Sequence, residues 1–240
     1  MSTIDPTDRF TEKQALLSSV WLFSELPPQA IEQFARYTHT KICRPNEIII
    51  ERGKPGSSMM LVAEGRVKIR SAFWDGREIV FNIIDPGEVF GEVALLDGRE
   101  RTADAVAMGN TVLFVLERRD FLPLIRKSPD IGVRLLSVLC DRIRHTSEQV
   151  EDLLFLGHPT RLAKVLLWLA KRYGTPAPGG VSIDIALSQR ELGTLVGVRR
   201  EAMNRQLSVW RGEGLIELND RMITILDVAA FESLVDNLET

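Results

Sequence analysis

The sequence predicts an α+β fold in three parts: an antiparallel β domain, a long helix and a small helical domain. Between about residues 40 and 116, short apolar runs alternate with glycine turns, which is typical of an antiparallel sandwich or barrel. After Ser128-Pro129 the apolar period becomes that of a helix of roughly seven turns. Beyond Gly157-His158-Pro159 the pattern is that of short helices, and it ends in a hairpin.

Residues 11–38 are predicted to form short helices on either side of Pro27-Pro28, because apolar side chains recur there at helical spacing. Short apolar runs separated by glycines then predict a series of strands. These strands are expected at Glu47–Glu51, Met59–Val62, Val67–Ser71, Ile79–Ile84 and Val112–Leu116.

The long helix carries an apolar seam with a 4-3-4-3 spacing, formed by Leu139, Ile143, Thr146, Val150 and Leu153. Such heptad-like spacing is typical of helices that pair with one another. Packing of the helix on its own β domain is the alternative, but the length of the seam and the polar Thr146 within it favour self-association.

The break at Gly157-His158-Pro159 ends the long helix, and we expect it to act as a hinge. The segment from Thr160 to Tyr173 is predicted to be amphipathic helix, and Gly174–Gly180 a loop. A hairpin is expected from Leu215–Glu217 and Met222–Ile225.

Composition limits the classes of function. The net charge is −3, so any positive surface for nucleic acid must be local. Cys43 and Cys140 are too far apart for a disulfide framework or a zinc site, and they suit a reducing cytosol. The longest apolar run, Val165–Ala170, is too short to span a membrane, and the N-terminus lacks a leader pattern. We expect a soluble, cytoplasmic protein without a membrane partner.

Several polar features lie around a predicted helix pair near the C-terminus. Ser188-Gln189-Arg190-Glu191 has the pattern of a capping box, in which serine and glutamate satisfy backbone donors at a helix start. Gly197 offers a tight turn, and a second helix follows from Arg200. Its buried face is expected to consist of Met203, Leu207 and Trp210.

Residues 188–211 contain five arginines and two glutamates, a local charge of +3 within an acidic chain. Arginine can donate two parallel bonds to guanine, and glutamate can accept one from cytosine. A solvated helix whose arginines pair with nearby acids is the alternative for any single arginine. The cap, the turn and the hairpin together favour DNA binding.

This segment resembles the helix-turn-helix of the cyclic-AMP receptor protein/FNR family, whose recognition helix carries R-E-x-x-x-R. The match is Arg200, Glu201 and Arg205. The resemblance implies a pseudo-palindromic site with TGTGA-like half-sites, in which the two arginines read guanines and Glu201 reads cytosine. Ser188 and Arg199 are assigned to the same interface. Arg199 replaces the usual Ser or Thr cap and can contact a phosphate.

A second constellation is Phe90-Gly91-Glu92-Val93-Ala94-Leu95-Leu96, followed by Arg101-Thr102-Ala103. Backbone N–H groups at a helix start can hold a phosphate, with an arginine as counter-ion. Gly91 lets the backbone approach closely, and Glu92 can accept a bond from a sugar hydroxyl. A turn followed by a buried arginine–glutamate pair is the alternative explanation.

The second constellation is similar to the phosphate-binding cassette of cyclic-nucleotide-binding domains, F-G-E-x-[AG]-L and then R-[TS]-A. The ligand-binding residues that this resemblance implies are Gly91, Glu92, Val93, Ala94, Arg101, Thr102, Arg142, Thr146 and Ser147. Arg142 is expected to contact Glu92, while Thr146 and Ser147 meet the purine and favour cyclic AMP. Thr102 is the residue type that cyclic-GMP-binding members use, so cyclic GMP, alone or in addition, stays open.

The resemblance covers roughly residues 20–226 and implies three regions. These are an N-terminal antiparallel β jelly-roll barrel with helices (11–128), a long dimerisation helix (129–156) and a C-terminal winged helix-turn-helix domain (160–240). It implies a homodimeric transcription regulator that binds double-stranded DNA with cyclic AMP bound, and RNA polymerase as a partner. A nucleotide-binding subunit acting on a protein partner would explain the barrel but not the C-terminal domain.

Other chemistries have no support in the sequence. No P-loop, nucleophile elbow or paired catalytic carboxylates occur, so an enzyme is not expected. The first forty residues contain no cysteine for an iron–sulfur cluster. The scattered His39, His145 and His158 are interpreted as surface or hinge residues rather than haem ligands, and no metal is expected.

Overall fold

The computed structural model describes residues 6–75, 77–219 and 221–236. It has the α+β architecture that the sequence predicts, with N-terminal antiparallel sheets, a long helix and a C-terminal helical body. The chain divides into two compact units. The N-terminal unit consists of Met1–Gly76 and Val80–His145, and the C-terminal unit consists of Arg77–Ile79 and Thr146–Thr240.

The helices are α1 (Pro6–Ser19), α2 (Pro28–Tyr37), α3 (Glu92–Asp97), α4 (Arg118–Lys127), α5 (Pro129–Phe155), α6 (His158–Tyr173), α7 (Gln189–Val196), α8 (Arg200–Gly212) and α9 (Val228–Asp236). The strands are β1 (His39–Cys43), β2 (Ile48–Ile50), β3 (Ser58–Glu64), β4 (Val67–Ala72), β5 (Glu78–Ile84), β6 (Val89–Phe90), β7 (Asp104–Ala107), β8 (Thr111–Glu117), β9 (Gly174–Ala177), β10 (Gly180–Ile183), β11 (Ile216–Asn219) and β12 (Met222–Ile225).

Two four-stranded sheets, in the orders β1-β8-β3-β6 and β2-β7-β4-β5, form the N-terminal unit. Strand β3 is buried on both faces. Since successive side chains point to opposite sides of a strand, its residues contribute alternately to two cores. Met60 and Val62 join the core that contains residues of both sheets. Met59 and Leu61 join a second core, to which α1, α2, α4 and the start of α5 contribute. The five predicted strands are confirmed.

Helix α5 confirms the predicted long helix, with 27 residues. Its first turns are anchored by the buried Ile131 and Leu135. Farther along, Leu136, Ile143 and Val150 are 59%, 66% and 49% exposed. Because these three residues recur every seven positions, they form an apolar stripe along one face of the helix.

The C-terminal unit holds a sheet of order β11-β12-β10-β9. Our expectation of a loop over Gly174–Gly180 is therefore wrong, since β9 and the first residue of β10 fall within it. Proline in β9 is compatible with an edge strand, whose N–H side can be left unpaired. Gly180 approaches β12 so closely that a Cβ there would overlap the carbonyl oxygen of Ile225.

The break after α5 is confirmed, and α6 begins at His158 with Pro159 in its first turn. Within the C-terminal unit, side chains of α6 contact the residues just before this break. Lys164 Nζ lies 2.6 Å from Asp152 Oδ1, and Arg161 Nη1 donates to the carbonyl oxygen of Leu156 at 2.7 Å. The last turn of α5 is thus bonded to α6. No helix of the described residues is long and apolar enough to cross a membrane.

The close approach at Gly180 generates a prediction about stability. Gly180→Ala places a methyl group against fixed backbone, so we expect it to lower the free energy of unfolding by about 1–3 kcal/mol. Thermal unfolding followed by circular dichroism would measure this. Gly212→Ala is the control, because Gly212 lies at the end of α8 with nothing within 4 Å of an added Cβ. An equal loss in both variants would contradict the explanation.

Candidate functional site

The turn between β6 and α3 is the first predicted feature, and Gly91 occupies its centre. Gly91 has φ 81° and precedes the first residue of α3. This left-handed conformation favours glycine, which has no Cβ. A Cβ at this position would also lie 2.8 Å from Arg101 Nη1. The backbone at Gly91 therefore lies close to the Arg101 side chain.

The Arg101 side chain is buried and bonds only to neutral oxygens. Its Nη1 donates to the carbonyl oxygens of Ser58 and Gly91, both at 2.8 Å, and its Nη2 donates to Ser58 Oγ at 3.0 Å. Burial lowers the pKa of the guanidinium, opposed by the charges of Glu117 and Glu92. Among the described residues no carboxylate forms an ion pair with it. The site therefore holds a buried positive charge suited to an anion.

Glu92 is directed to a different arginine. Glu92 is buried, with only 2% of the residue exposed, and its Oε1 pairs with Nη1 of Arg142 on α5. Arg142 Nη2 donates to the carbonyl oxygen of Val89. A buried pair between Arg101 and Glu92 is therefore not formed. Glu92 Oε2 is buried and accepts no hydrogen bond, so it is available to a hydroxyl group.

The remaining predicted ligand residues are divided between the two units. Ala94 is buried and Val93 half-buried in α3, while Thr102 is exposed just after Arg101. Thr146 and Ser147 are exposed on α5, about one turn beyond Arg142, and belong to the C-terminal unit. Ser58 is a residue that the sequence analysis missed, since it lies outside the motif. No group of metal-ligating side chains occurs in the parts of the chain that the structure describes.

The predicted capping box is present at the start of α7. Ser188 Oγ accepts from the N–H of Glu191 at 3.2 Å, and Glu191 Oε2 accepts from the N–H of Ser188 at 2.9 Å. The helix ends at Gly197, which is left-handed with φ 72° and lies against Leu153 of α5. The first helix of the pair is thus fixed at both ends.

Helix α8 separates a buried face from a charged one. Met203, Leu207 and Trp210 are buried, as predicted, and the Trp210 ring meets Phe231 with 4.7 Å between ring centroids. Glu201 and Arg205 lie on the far side of the helix from these residues, and both are exposed, as are Arg200 in its first turn and Arg199 just before it. Within the described parts of the chain, the side chains of these four form no ion pair or hydrogen bond. The arginines are therefore not neutralised by nearby acids.

Arg199 occupies the position that precedes α8. It has the extended conformation of an N-cap residue, with φ −71° and ψ 154°, but its side chain accepts no bond from the helix. Arginine has donors and no acceptor, so it cannot cap. The helix consequently starts without the side-chain cap that α7 has.

Two regions of the chain match known domain families. Residues 40–128 match the model of the cyclic nucleotide-binding domain, and residues 160–234 match that of the Crp-like helix-turn-helix domain. The chain is 31% identical over 212 residues to the CRP-like cAMP-activated global transcriptional regulator of Mycobacterium tuberculosis, covering 88% of this chain and 95% of that protein.

Two Thermus thermophilus proteins are also similar. The cyclic AMP receptor protein is 30% identical over 217 residues, covering 90% of this chain and 97% of that protein. The crystal structure of a CRP-family transcriptional regulator has a TM-score of 0.65 at 27% identity, covering 82% of this chain and 96% of that one.

The two helix starts generate opposite predictions. Ser188→Ala removes a cap and should lower the free energy of unfolding by about 1 kcal/mol, whereas Arg199→Ser adds an acceptor and should raise it by up to about 1 kcal/mol. Urea unfolding monitored by circular dichroism measures both. Ser208→Ala, an exposed position within α8, is the control and should change little. A destabilising Arg199→Ser would show that the cap is not what α8 lacks.

Proposed function

Because the chain belongs to the CRP/FNR family of transcription regulators, we propose that it is a homodimer that binds pseudo-palindromic promoter DNA when cyclic AMP is bound. The two matched domains make it a cyclic-nucleotide-responsive DNA-binding regulator. The identity of the nucleotide, the two-fold assembly and the roles of single residues are the substance of the proposal.

The observation that carries the nucleotide site is the buried, unneutralised guanidinium of Arg101 beside the Gly91 turn. A cyclic phosphate would supply the missing negative charge. The free Oε2 of Glu92 suits a ribose hydroxyl. The residues assigned to the ligand are Gly91, Glu92, Val93, Ala94, Arg101, Thr102, Arg142, Thr146 and Ser147.

Cyclic AMP is the proposed nucleotide because the similar proteins of Mycobacterium tuberculosis and Thermus thermophilus, at 31% and 30% identity, are named for it. The exposed hydroxyls of Thr146 and Ser147 on α5 suit the hydrogen-bonding edge of adenine. Thr102, which follows Arg101 in the chain, is also exposed and offers a hydroxyl. Cyclic GMP is therefore the second candidate, alone or in addition.

The apolar stripe of α5 supports a homodimer. Leu136, Ile143 and Val150 leave large apolar surfaces exposed at heptad spacing, and an identical helix can cover them. We propose that residues 129–156 pair two protomers, that residues 11–128 bind the nucleotide and that residues 160–240 bind DNA. Residues 237–240 of the last region lie outside those the structure describes.

The exposed face of α8 supports recognition of DNA by Arg200, Glu201 and Arg205 in the major groove. In a two-fold dimer the recognition helices would meet half-sites about 34 Å apart. Ser188 and Arg199 are assigned to the same DNA interface, Arg199 through a phosphate contact. A regulator at promoters works in the cytoplasm and meets RNA polymerase, which we propose as a partner.

Helix α5 offers a route from nucleotide to DNA, because side chains near its middle and at its end contact the two proposed sites. Glu92 links the turn between β6 and α3 to α5 through Arg142. The end of α5 is bonded to α6 through Asp152 and touches Gly197, between α7 and α8, through Leu153. A nucleotide that binds better to one arrangement of α5 would shift the population of recognition helices competent for DNA.

Two variants separate the proposed activities. Arg101→Leu should weaken cyclic nucleotide binding by about 2 kcal/mol or more, because the phosphate loses its buried partner. Arg200→Ala should leave nucleotide binding unchanged and weaken operator binding by about 1–3 kcal/mol, because one base-reading group is lost. Calorimetric titrations with cyclic AMP and cyclic GMP, and operator binding with each nucleotide, measure both.

The same titrations decide between the nucleotides. Tighter binding and stronger operator affinity with cyclic AMP are the expected result, and the reverse order would replace cyclic AMP by cyclic GMP. Operator affinity that is equal with and without nucleotide would overturn gating. Unchanged DNA binding by Arg200→Ala would favour a nucleotide-binding subunit that acts on protein.

The dimer is tested at the middle of the apolar stripe. Ile143→Asp would bury a charge in the paired seam and should cost about 3 kcal/mol or more of dimer stability. Analytical ultracentrifugation should then show monomers where the wild type shows dimers. Ser137→Asp is the control, because the exposed Ser137 lies on the same helix about 120° from the stripe. Dimers of Ile143→Asp would rule out this seam.

A further inference from the structure

The hydroxyl of Ser58 lies in the Arg101 site, outside both sequence motifs. Ser58 begins β3 and is 8% exposed, and Arg101 donates to it twice, from Nη1 to the carbonyl oxygen and from Nη2 to Oγ. We propose that Ser58 is a positioning residue, whose Oγ holds the Arg101 guanidinium in the orientation that receives the phosphate of a cyclic nucleotide. This inference rests on the proposed role of Arg101.

The surroundings of Arg101 leave its guanidinium few alternatives. A Cβ added at Gly56 would overlap Nε of Arg101, and one added at Gly91 would lie 2.8 Å from Nη1. The backbone at these two positions therefore encloses the side chain closely. A planar guanidinium offers two parallel bonds to a phosphate only when its fork is correctly aimed. The bond from Nη2 to Ser58 Oγ, at 3.0 Å, fixes the remaining rotation.

The neutrality of Ser58 is as important as its position. A carboxylate at this distance would pair with Arg101, and an incoming phosphate would have to displace it. A hydroxyl accepts the hydrogen bond without neutralising the charge. Ser58 therefore orients the guanidinium and leaves its positive charge to the ligand.

The neighbouring serine provides a matched control. Ser57 is exposed, and its Oγ donates to Glu117 Oε2 at 3.1 Å rather than contacting Arg101. The two serines are adjacent in the chain and differ in the group that their hydroxyls meet. Removing each hydroxyl in turn separates an effect on Arg101 from a general effect on the start of β3.

The experiment is calorimetric titration of the full chain with cyclic AMP and with cyclic GMP. Ser58→Ala and Ser58→Val should weaken both nucleotides by the same factor, roughly tenfold, because the phosphate is common to them. Ser58→Thr, which has the shape of valine and keeps a hydroxyl, should restore most of the affinity. Ser57→Ala should bind as the wild type does, and thermal midpoints without nucleotide show whether each variant is folded.

Ser58→Asp tests the requirement for a neutral group. It should weaken both nucleotides by at least roughly a hundredfold, since the carboxylate competes with the phosphate for Arg101. Equal affinities of Ser58→Val and Ser58→Thr would overturn the proposal, as would tight binding by Ser58→Asp or a loss confined to one nucleotide. A wild type that binds neither nucleotide would instead refute the proposed function, and the role of Ser58 with it.

Discussion

The bonding of the buried Arg101 guanidinium is the constraint around which the proposed nucleotide site is arranged. Removing a charged group from water costs several kcal/mol unless other groups compensate for the lost solvation. Here the compensation comes from two backbone carbonyls and the Ser58 hydroxyl, all neutral. Such an arrangement holds the guanidinium in place without neutralising its positive charge. Glycine at position 91 follows from the same requirement, because a side chain there would push against Nη1.

The use of Glu92 completes this distribution of charge. The site contains a buried carboxylate, Glu92, which would neutralise Arg101 if the two were paired. Instead Glu92 pairs with Arg142 of α5. The carboxylate thus links the turn between β6 and α3 to the long helix, and Arg101 is left for an anion. A ligand that contacts Glu92 and Arg101 together would therefore act on the Glu92–Arg142 ion pair that links this turn to α5. This is a physical reason for coupling the nucleotide to the helix that carries the proposed dimer seam.

Local and periodic features of the chain were predictable from its residues alone, whereas the one distant contact that was predicted and is confirmed, between Arg142 and Glu92, came from the family resemblance. The capping box needs four consecutive residues, and the length of α5 follows from its apolar period. Strand β9 has no such pattern and becomes a strand only by pairing with β10, which also pairs with β12. Ser58 is separated from Arg101 by 43 residues, and nothing in its immediate neighbours marks it. The Gly91–Arg101 motif was readable because its residues are close in the chain.

The two helix starts of the C-terminal unit show how stability and recognition diverge. Helix α7 has a complete capping box, which fixes the first helix of the pair at a gain of about 1 kcal/mol. Helix α8 forgoes a cap of that size, because Arg199 occupies its N-cap position. In the proposed complex this arginine adds a phosphate contact beside the base-reading Arg200, in a chain whose net charge is −3. The acidic chain thus concentrates positive charge where α8 begins, and gives up helix stability to do so.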